Sequence, residues 1–312
     1  MKVGIFLSYI GLGANILHLS YCHEIAKKYG PVTIITICKN FKEAVRDDPQ
    51  IKEVIYLDKY YKKLSDVLKL SKELSKYNLD SIFIFYPSLR FYLASKIAKI
   101  KIINIYPFLS KKNLHLVKAA KNFVEKKLNI KNCPTETTFY VDPLEKKKTE
   151  LKMNKSVKNI VIGAGSSGPT TKWGEKNYVS LLKKLNSYGD FYFYIQCGPE
   201  ESILSENIIK EIGKEKCETL SDKKISELIP IISNCDLYVG NDSFGHHITS
   251  QCGIPSLILL LDTPRAYTDY SINQYQMVSK KIDINKITHD VATSPDDIKI
   301  NDVYNKIISL IN

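Results

Sequence analysis

Apolar runs of strand length alternate with helix-periodic segments along most of the chain. Val3 to Leu7 reads as a buried strand. A glycine turn follows, Gly11-Leu12-Gly13-Ala14-Asn15, and then a helical stretch from about Asn15 to Tyr29. Further strands are predicted at Val32 to Ile37, Val54 to Leu57, Ser81 to Phe85 and Lys101 to Ile105. Helices are predicted between and after them at Phe41 to Arg46, Tyr61 to Tyr77, Leu89 to Ala98 and Asn113 to Leu128. In the last of these, Leu114, Val117, Ala120, Val124 and Leu128 fall near one face, as a core-facing helix requires. Regular βα alternation predicts a parallel sheet covered by helices.

Residues 141–158 break the pattern. They are polar and aperiodic, with Glu145-Lys146-Lys147-Lys148 at their centre, and read as an interdomain linker. A second βα series then begins. Its strands are expected at Asn159 to Ile162, Phe191 to Gln196, Glu218 to Leu220, Leu237 to Val239 and Pro255 to Leu260. Helices near 175–187, 201–213, 224–234 and 244–252 fit between them. The expected organisation is a domain over 1–150 and another over 151–312. The last helix, about 300–311, would pack back across the junction. A chain of 312 residues supports two such cores.

Charge changes this picture by dividing it. The formal net charge is +12. Residues 1–150 hold 27 Lys/Arg against 14 Asp/Glu, a net of +13, and the remainder holds 18 against 19. A basic first half suits an anionic partner such as a lipid head group, a phosphorylated glycolipid or a nucleic acid. It also suits a lysine-rich surface that does no more than stay hydrated. No motif that reads RNA or DNA accompanies the charge. The seven cysteines have no paired CxxC spacing and read as buried thiols. No stretch is long and apolar enough to span a bilayer, and Met1 to Leu7 reads as a strand rather than a targeting segment, so a cytoplasmic location is expected.

Candidate chemistry concentrates where second-domain strands give way to helices, the edge at which open α/β sheets bind ligands. Gly163-Ala164-Gly165-Ser166-Ser167-Gly168-Pro169-Thr170-Thr171-Lys172-Trp173 follows a strand directly. Its glycines permit close approach, its hydroxyls can donate to phosphate oxygens, and Lys172 can neutralise a diphosphate. It is neither GxxxxGK[ST] nor a complete dinucleotide fingerprint, and a simple helix-capping loop is the bland account. Trp173 either stacks on a ligand or anchors the loop. Glu200 and Glu201 fit a helix start, one as a cap and one as a ribose acceptor, with no means of separating them. At Asn241-Asp242-Ser243-Phe244-Gly245-His246-His247, Ser243 can cap the next helix and His247 falls on its face four residues later. The spacing is not HExxH, and no metal is expected. Thr263 follows the last strong strand, and Arg265 offers either a charge or a surface ion pair.

The Asp242–His247 run resembles the Asp-[Ser/Thr]-Gly-x-x-His segment of the bacterial ADP-heptose:lipopolysaccharide heptosyltransferases, with Phe244 in the glycine position. Thr171-Lys172-Trp173 is similar to the family's basic-residue-plus-Trp signature, Gly198-Pro199-Glu200-Glu201 to its Gly-x-x-Glu turn, and Asp262-Thr263-Pro264 to its Thr-x-Pro loop. The resemblance implies a GT-B fold, two Rossmann-like domains facing across a cleft. It implies an inverting glycosyltransferase whose donor, a nucleotide-diphospho-sugar such as ADP-heptose, lies on the second domain. Ser166, Thr170, Thr171, Lys172, Glu200, Glu201, Asp242, Ser243, His247 and Thr263 would hold that donor. No metal or other cofactor is expected. The acceptor would be an anionic lipopolysaccharide, lipooligosaccharide or other glycan, with peripheral contact to an anionic membrane face and no nucleic acid.

One departure matters. Family members carry a Gly-Asp pair after the first strand, and that aspartate is the expected base. Here the position is Ala14, which accepts no proton. His18, one turn on, and His115, in the basic helix, are candidate replacements, and otherwise the base is another residue or none. A binding protein without turnover is the alternative.

Overall fold

The computed structural model describes residues 1–58, 61, 63–107, 116–166, 168, 171–287 and 293–312. Thr170 and His115, both expected at the site, lie outside the described residues. The chain divides into two compact units, Met1–Thr137 and Thr138–Asn312. The residues read as a linker include helix α7 (Pro143–Glu150), capped at its start by the Asp142 carboxylate. Asp142 accepts the Leu144 and Glu145 N–H groups, a local cap strong enough to form a helix where apolar periodicity is absent.

The first unit holds a parallel sheet of β1 (Val3–Leu7), β2 (Val32–Thr36), β3 (Ile51–Tyr56), β4 (Ser81–Ile84) and β5 (Ile102–Ile105). The spatial order is β3-β2-β1-β4-β5. Its strands β1, β2 and β4 are buried on both faces, as centrally placed parallel strands are. The helices are α1 (Leu12–Leu17), α2 (Leu19–Tyr29), α3 (Phe41–Ala44), α4 (Val67–Ser75), α5 (Leu89–Ile97) and α6 (Leu116–Leu128). One core cluster joins Phe6, Ile35, Ile82 and Ile84 to Leu70, Leu74 and Phe91 from α4 and α5.

The second unit holds β6 (Lys158–Gly163), β7 (Phe191–Gln196), β8 (Cys217–Thr219), β9 (Leu237–Asn241), β10 (Ser256–Leu259) and β11 (Gln274–Met277). All pairs are parallel, in the order β11-β10-β9-β6-β7-β8. That is the doubly wound order, reversing between β6 and β9. Helices α8 (Glu175–Asn186), α9 (Ser202–Ile212), α10 (Ile225–Ile232) and α11 (Phe244–Gln251) complete the βα series. Residues 300–311, expected to return toward the first domain, form α12 (Ile300–Ile311). It lies against α8 and buries Val303 and Ile307 in the second unit's own core. All seven cysteines are free thiols, six of them buried. Among the described residues no helix is long and apolar enough to cross a membrane.

Candidate functional site

The switch point of the second sheet is built by close backbone approach. Gly163 and Gly240 are register partners at the ends of β6 and β9. A Cβ on Gly240 would stand 2.5 Å from the Gly163 backbone, so only glycine fits. Gly165 does the same beside the end of β7, where a Cβ would stand 2.7 Å from Cys197 Cα.

Asn241, fully buried at the end of β9, ties the loop to the sheet. Its Oδ1 accepts the Trp173 N–H at 2.9 Å and the Tyr178 hydroxyl at 3.0 Å, and its Nδ2 donates to Ala164 O at 2.7 Å. Trp173 is wholly buried and donates its indole N–H to Ile298 O. It is therefore a loop anchor rather than a stacking platform. The loop that Asn241 and Trp173 hold presents Ser166, Thr171 and Lys172 half-buried at the sheet edge. Thr171 Oγ1 lies 2.5 Å from Ser166 Oγ and 2.8 Å from Gly168 O. Ser166 Oγ also reaches Asp242 O.

The two glutamates are separated by geometry. Glu200 is exposed, whereas Glu201 turns inward from the 3-10 turn Pro199–Glu201. Glu201 Oε1 pairs with Lys172 Nζ at 2.5 Å, and its Oε2 accepts the Gly198 N–H at 3.1 Å. The Ser166 N–H points at the same carboxylate, at 3.4 Å. A cation and two N–H groups thus already surround one anionic group.

Ser243 occupies the N-cap position of α11, but its side chain makes no capping bond. The expected cap is corrected: the hydroxyl lies 2.9 Å from the Tyr238 hydroxyl, and Gln196 Oε1 is 3.4 Å away. Beside it, Asp242 Oδ1 is 2.6 Å from His246 Nε2 and 3.8 Å from His247 Nε2. The two imidazoles are buried with centroids 3.9 Å apart, and His247 Nδ1 meets the Tyr270 hydroxyl at 2.7 Å. Ligand atoms of Asp242, His246 and His247 all lie within 4.8 Å of one another and can hold a metal ion. The expectation of a site without a metal is corrected by this cluster. His246, which sequence reasoning passed over, is part of it. Thr263 is buried after β10, and Arg265 pairs with Asp269 at 3.0 Å.

The first unit treats its expected residues differently. Ala14 is half-buried in the first turn of α1, and Asn15 is fully buried. The Asn15 amide is used up on Tyr9 O, Gly11 O and the Thr36 hydroxyl. His18 is also fully buried, packed against Tyr9, Tyr21 and Phe85. Its Nδ1 lies 2.6 Å from Ala14 O, so that nitrogen carries the proton and Nε2 is a bare lone pair. Among the described residues Nε2 has no hydrogen-bond partner. Burial pulls the His18 pKa down to about 4, against the smaller opposing pull of the Ala14 carbonyl. In this conformation an acceptor hydroxyl cannot touch it.

A separate cavity of about 530 Å³ opens at the opposite, amino-terminal edge of the second sheet, lined by Asn159, Asp190 and Asp236 among others. Two of its acids pair with its own lysines, Glu150 with Lys155 and Asp236 with Lys158.

A doubly wound second unit with a cationic, glycine-walled loop at its switch point, in a chain whose first unit is also a parallel sheet covered by helices, is the make-up of a GT-B protein. Residues 95–295 match glycosyltransferase family 9 (heptosyltransferase), more than half of the chain, and the chain belongs to that family of nucleotide-sugar-dependent enzymes. No curated protein matches it by sequence. Among solved structures it is similar to E. coli ADP-heptose lps heptosyltransferase II, at 16% identity and a TM-score of 0.77, covering 100% of this chain and 98% of that one. The family 9 glycosyl transferase from Veillonella parvula DSM 2008 is 15% identical with a TM-score of 0.78, over 99% and 97% of the two chains. E. coli heptosyltransferase WaaC with ADP-2-deoxy-2-fluoro heptose is 13% identical with a TM-score of 0.71, over 99% of both.

Proposed function

We propose that this protein transfers a sugar, a heptose or a relative of one, from a nucleotide-diphospho-sugar to an anionic glycan or glycolipid acceptor, with inversion at the anomeric carbon. The observation that carries this is the group of half-buried polar side chains at the second switch point: Ser166, Thr171, Lys172, Glu201, Asp242 and Ser243. Lys172 would take the donor's diphosphate once Glu201 releases it, and Glu201 is then free to accept ribose hydroxyls. Stabilising a diphosphate leaving group with a fixed cation and hydroxyls is electrostatic catalysis, strongest where charge develops. The net charge of +13 over residues 1–150 supports an anionic acceptor such as a lipopolysaccharide precursor, met at the inner face of a bacterial membrane. Incubating the protein with nucleotide-heptoses and lipooligosaccharide acceptors, then analysing products by mass, tests the reading. Transfer with inversion supports it, and absence of any sugar transfer from any donor overturns it.

Ala14 favours a second reading, a nucleotide-sugar-binding protein without turnover. The first-turn acid is missing, Asn15 is committed to the backbone and His18 is buried. Ala14→Asp separates the two. If that variant gains transfer while binding the donor as before, the natural chain lacks only its base.

A further inference from the structure

The two imidazoles beside Asp242 are held from behind by partners of different kinds. Gln274, at the start of β11, sets its Oε1 3.1 Å from the Tyr270 N–H and 3.2 Å from the Ser271 N–H. An oxygen that accepts two backbone N–H groups fixes which end of the amide is which. Turning it over would aim its NH2 at two donors. The Gln274 NH2 therefore faces His246 Nδ1, 3.2 Å away, and donates to it. A neutral imidazole that accepts at Nδ1 carries its proton on Nε2. That proton points at Asp242 Oδ1, at 2.6 Å.

A metal ion shared with Asp242 needs the Nε2 lone pair of His246, because Nε2 is the nitrogen that faces the carboxylate. Imidazoles that bind metals normally donate their second N–H to an acceptor behind them. Gln274 presents a donor there instead. The Tyr270 hydroxyl behind His247 also takes a bond from the Gln251 amide at 3.3 Å, but unlike the Gln274 NH2 it can turn to accept from Nδ1.

We propose that Gln274 sets the position of the proton on His246, and thereby holds down the metal affinity of the Asp242–His246–His247 cluster. Gln274 is a positioning residue. It keeps the cluster as a hydrogen-bonded pair with a neighbouring imidazole, which opens to a three-ligand metal site only when its amide gives way. The inference stands whether or not the chain transfers sugar.

The isosteric Gln274→Glu exchange reverses the polarity at one atom. One carboxylate oxygen keeps the Tyr270 and Ser271 N–H groups, and the other accepts from His246 Nδ1, freeing Nε2. Two measurements at pH 8 test this. In the first, 15N NMR of the wild-type protein, with the His246 ring assigned from a His246→Asn sample, reads the tautomer. In the second, Zn2+ is titrated against the wild type, Gln274→Glu and Gln274→Glu/Asp242→Ala. The expected results are a proton on Nε2 in the wild type, at least tenfold tighter Zn2+ binding by Gln274→Glu, and loss of that gain with Asp242. A wild-type proton on Nδ1, or equal Zn2+ affinity in the folded single variant and the wild type, overturns the proposal. Should Gln274→Glu fail to fold, the wild-type tautomer decides alone.

Discussion

His18 shows how completely packing can change a residue that composition marks as a base. Its pKa is about 4 in the folded chain because no water reaches the ring. Unfolded, it titrates near its ordinary value of about 6.5. The folded value is the lower, so the unfolded chain binds more protons between these limits, and stability falls as pH drops through that window. The acid loss from this one residue amounts to roughly 3 kcal/mol. Urea unfolding of wild type and His18→Gln at pH 7 and pH 4.5 checks it. The variant should lose clearly less stability on acidification, and equal losses would mean that His18 carries no such cost. Asn241 makes the structural counterpart. Its buried amide satisfies three groups, so Asn241→Leu should cost about 2–4 kcal/mol, read from the denaturation midpoint. Sequence reasoning placed Lys172, Asp242 and Ser243 at one sheet edge because each follows an apolar strand. It could not tell Glu200 from Glu201, nor give His246 a role, because adjacent residues at a helix start differ only in where the chain turns them. Gln274 and Tyr270 carried no signal, since they belong to a segment far along the chain with neither periodicity nor motif.

Most elements were legible for the same reason: buried parallel strands are short β-branched runs, and the helices between them keep an apolar stripe. The misses have local causes. The expected helix from Asn15 to Tyr29 is broken into α1 and α2 at His18. There the ring Nδ1–H takes the Ala14 carbonyl, the acceptor that the His18 amide would use in a continuous helix, and that amide bonds Asn15 O instead. Helix α7 depends on the Asp142 cap rather than on periodicity. Strand β11 is a half-buried edge, Gln274–Met277, whose pairing with β10 supplies what its composition does not. At the junction of β6 and β9 the elements leave no room for a methyl group. Gly240→Ala should therefore cost at least about 2 kcal/mol and lower the melting temperature by several degrees. A variant as stable as wild type would mean that the two strand ends are not packed as described.

At the scale of the molecule, both units are doubly wound, yet their charge and chemistry diverge. The first is basic and carries Ala14 in the turn after its first strand, while the second carries the glycine-walled loop, Lys172 and the Asp-His-His cluster. The family match, over residues 95–295, takes in parts of both units. In the proposed function the switch point of the second sheet grips the diphosphate of an activated sugar. Calorimetric titration of the protein with ADP-heptose and other nucleotide-sugars, repeated on Lys172→Ala, tests it most directly. Saturable binding of at least one of them is expected, weakened roughly 10- to 100-fold by the substitution, as for loss of a charge-assisted contact. No binding by the folded wild type, or undiminished binding by Lys172→Ala, would contradict it.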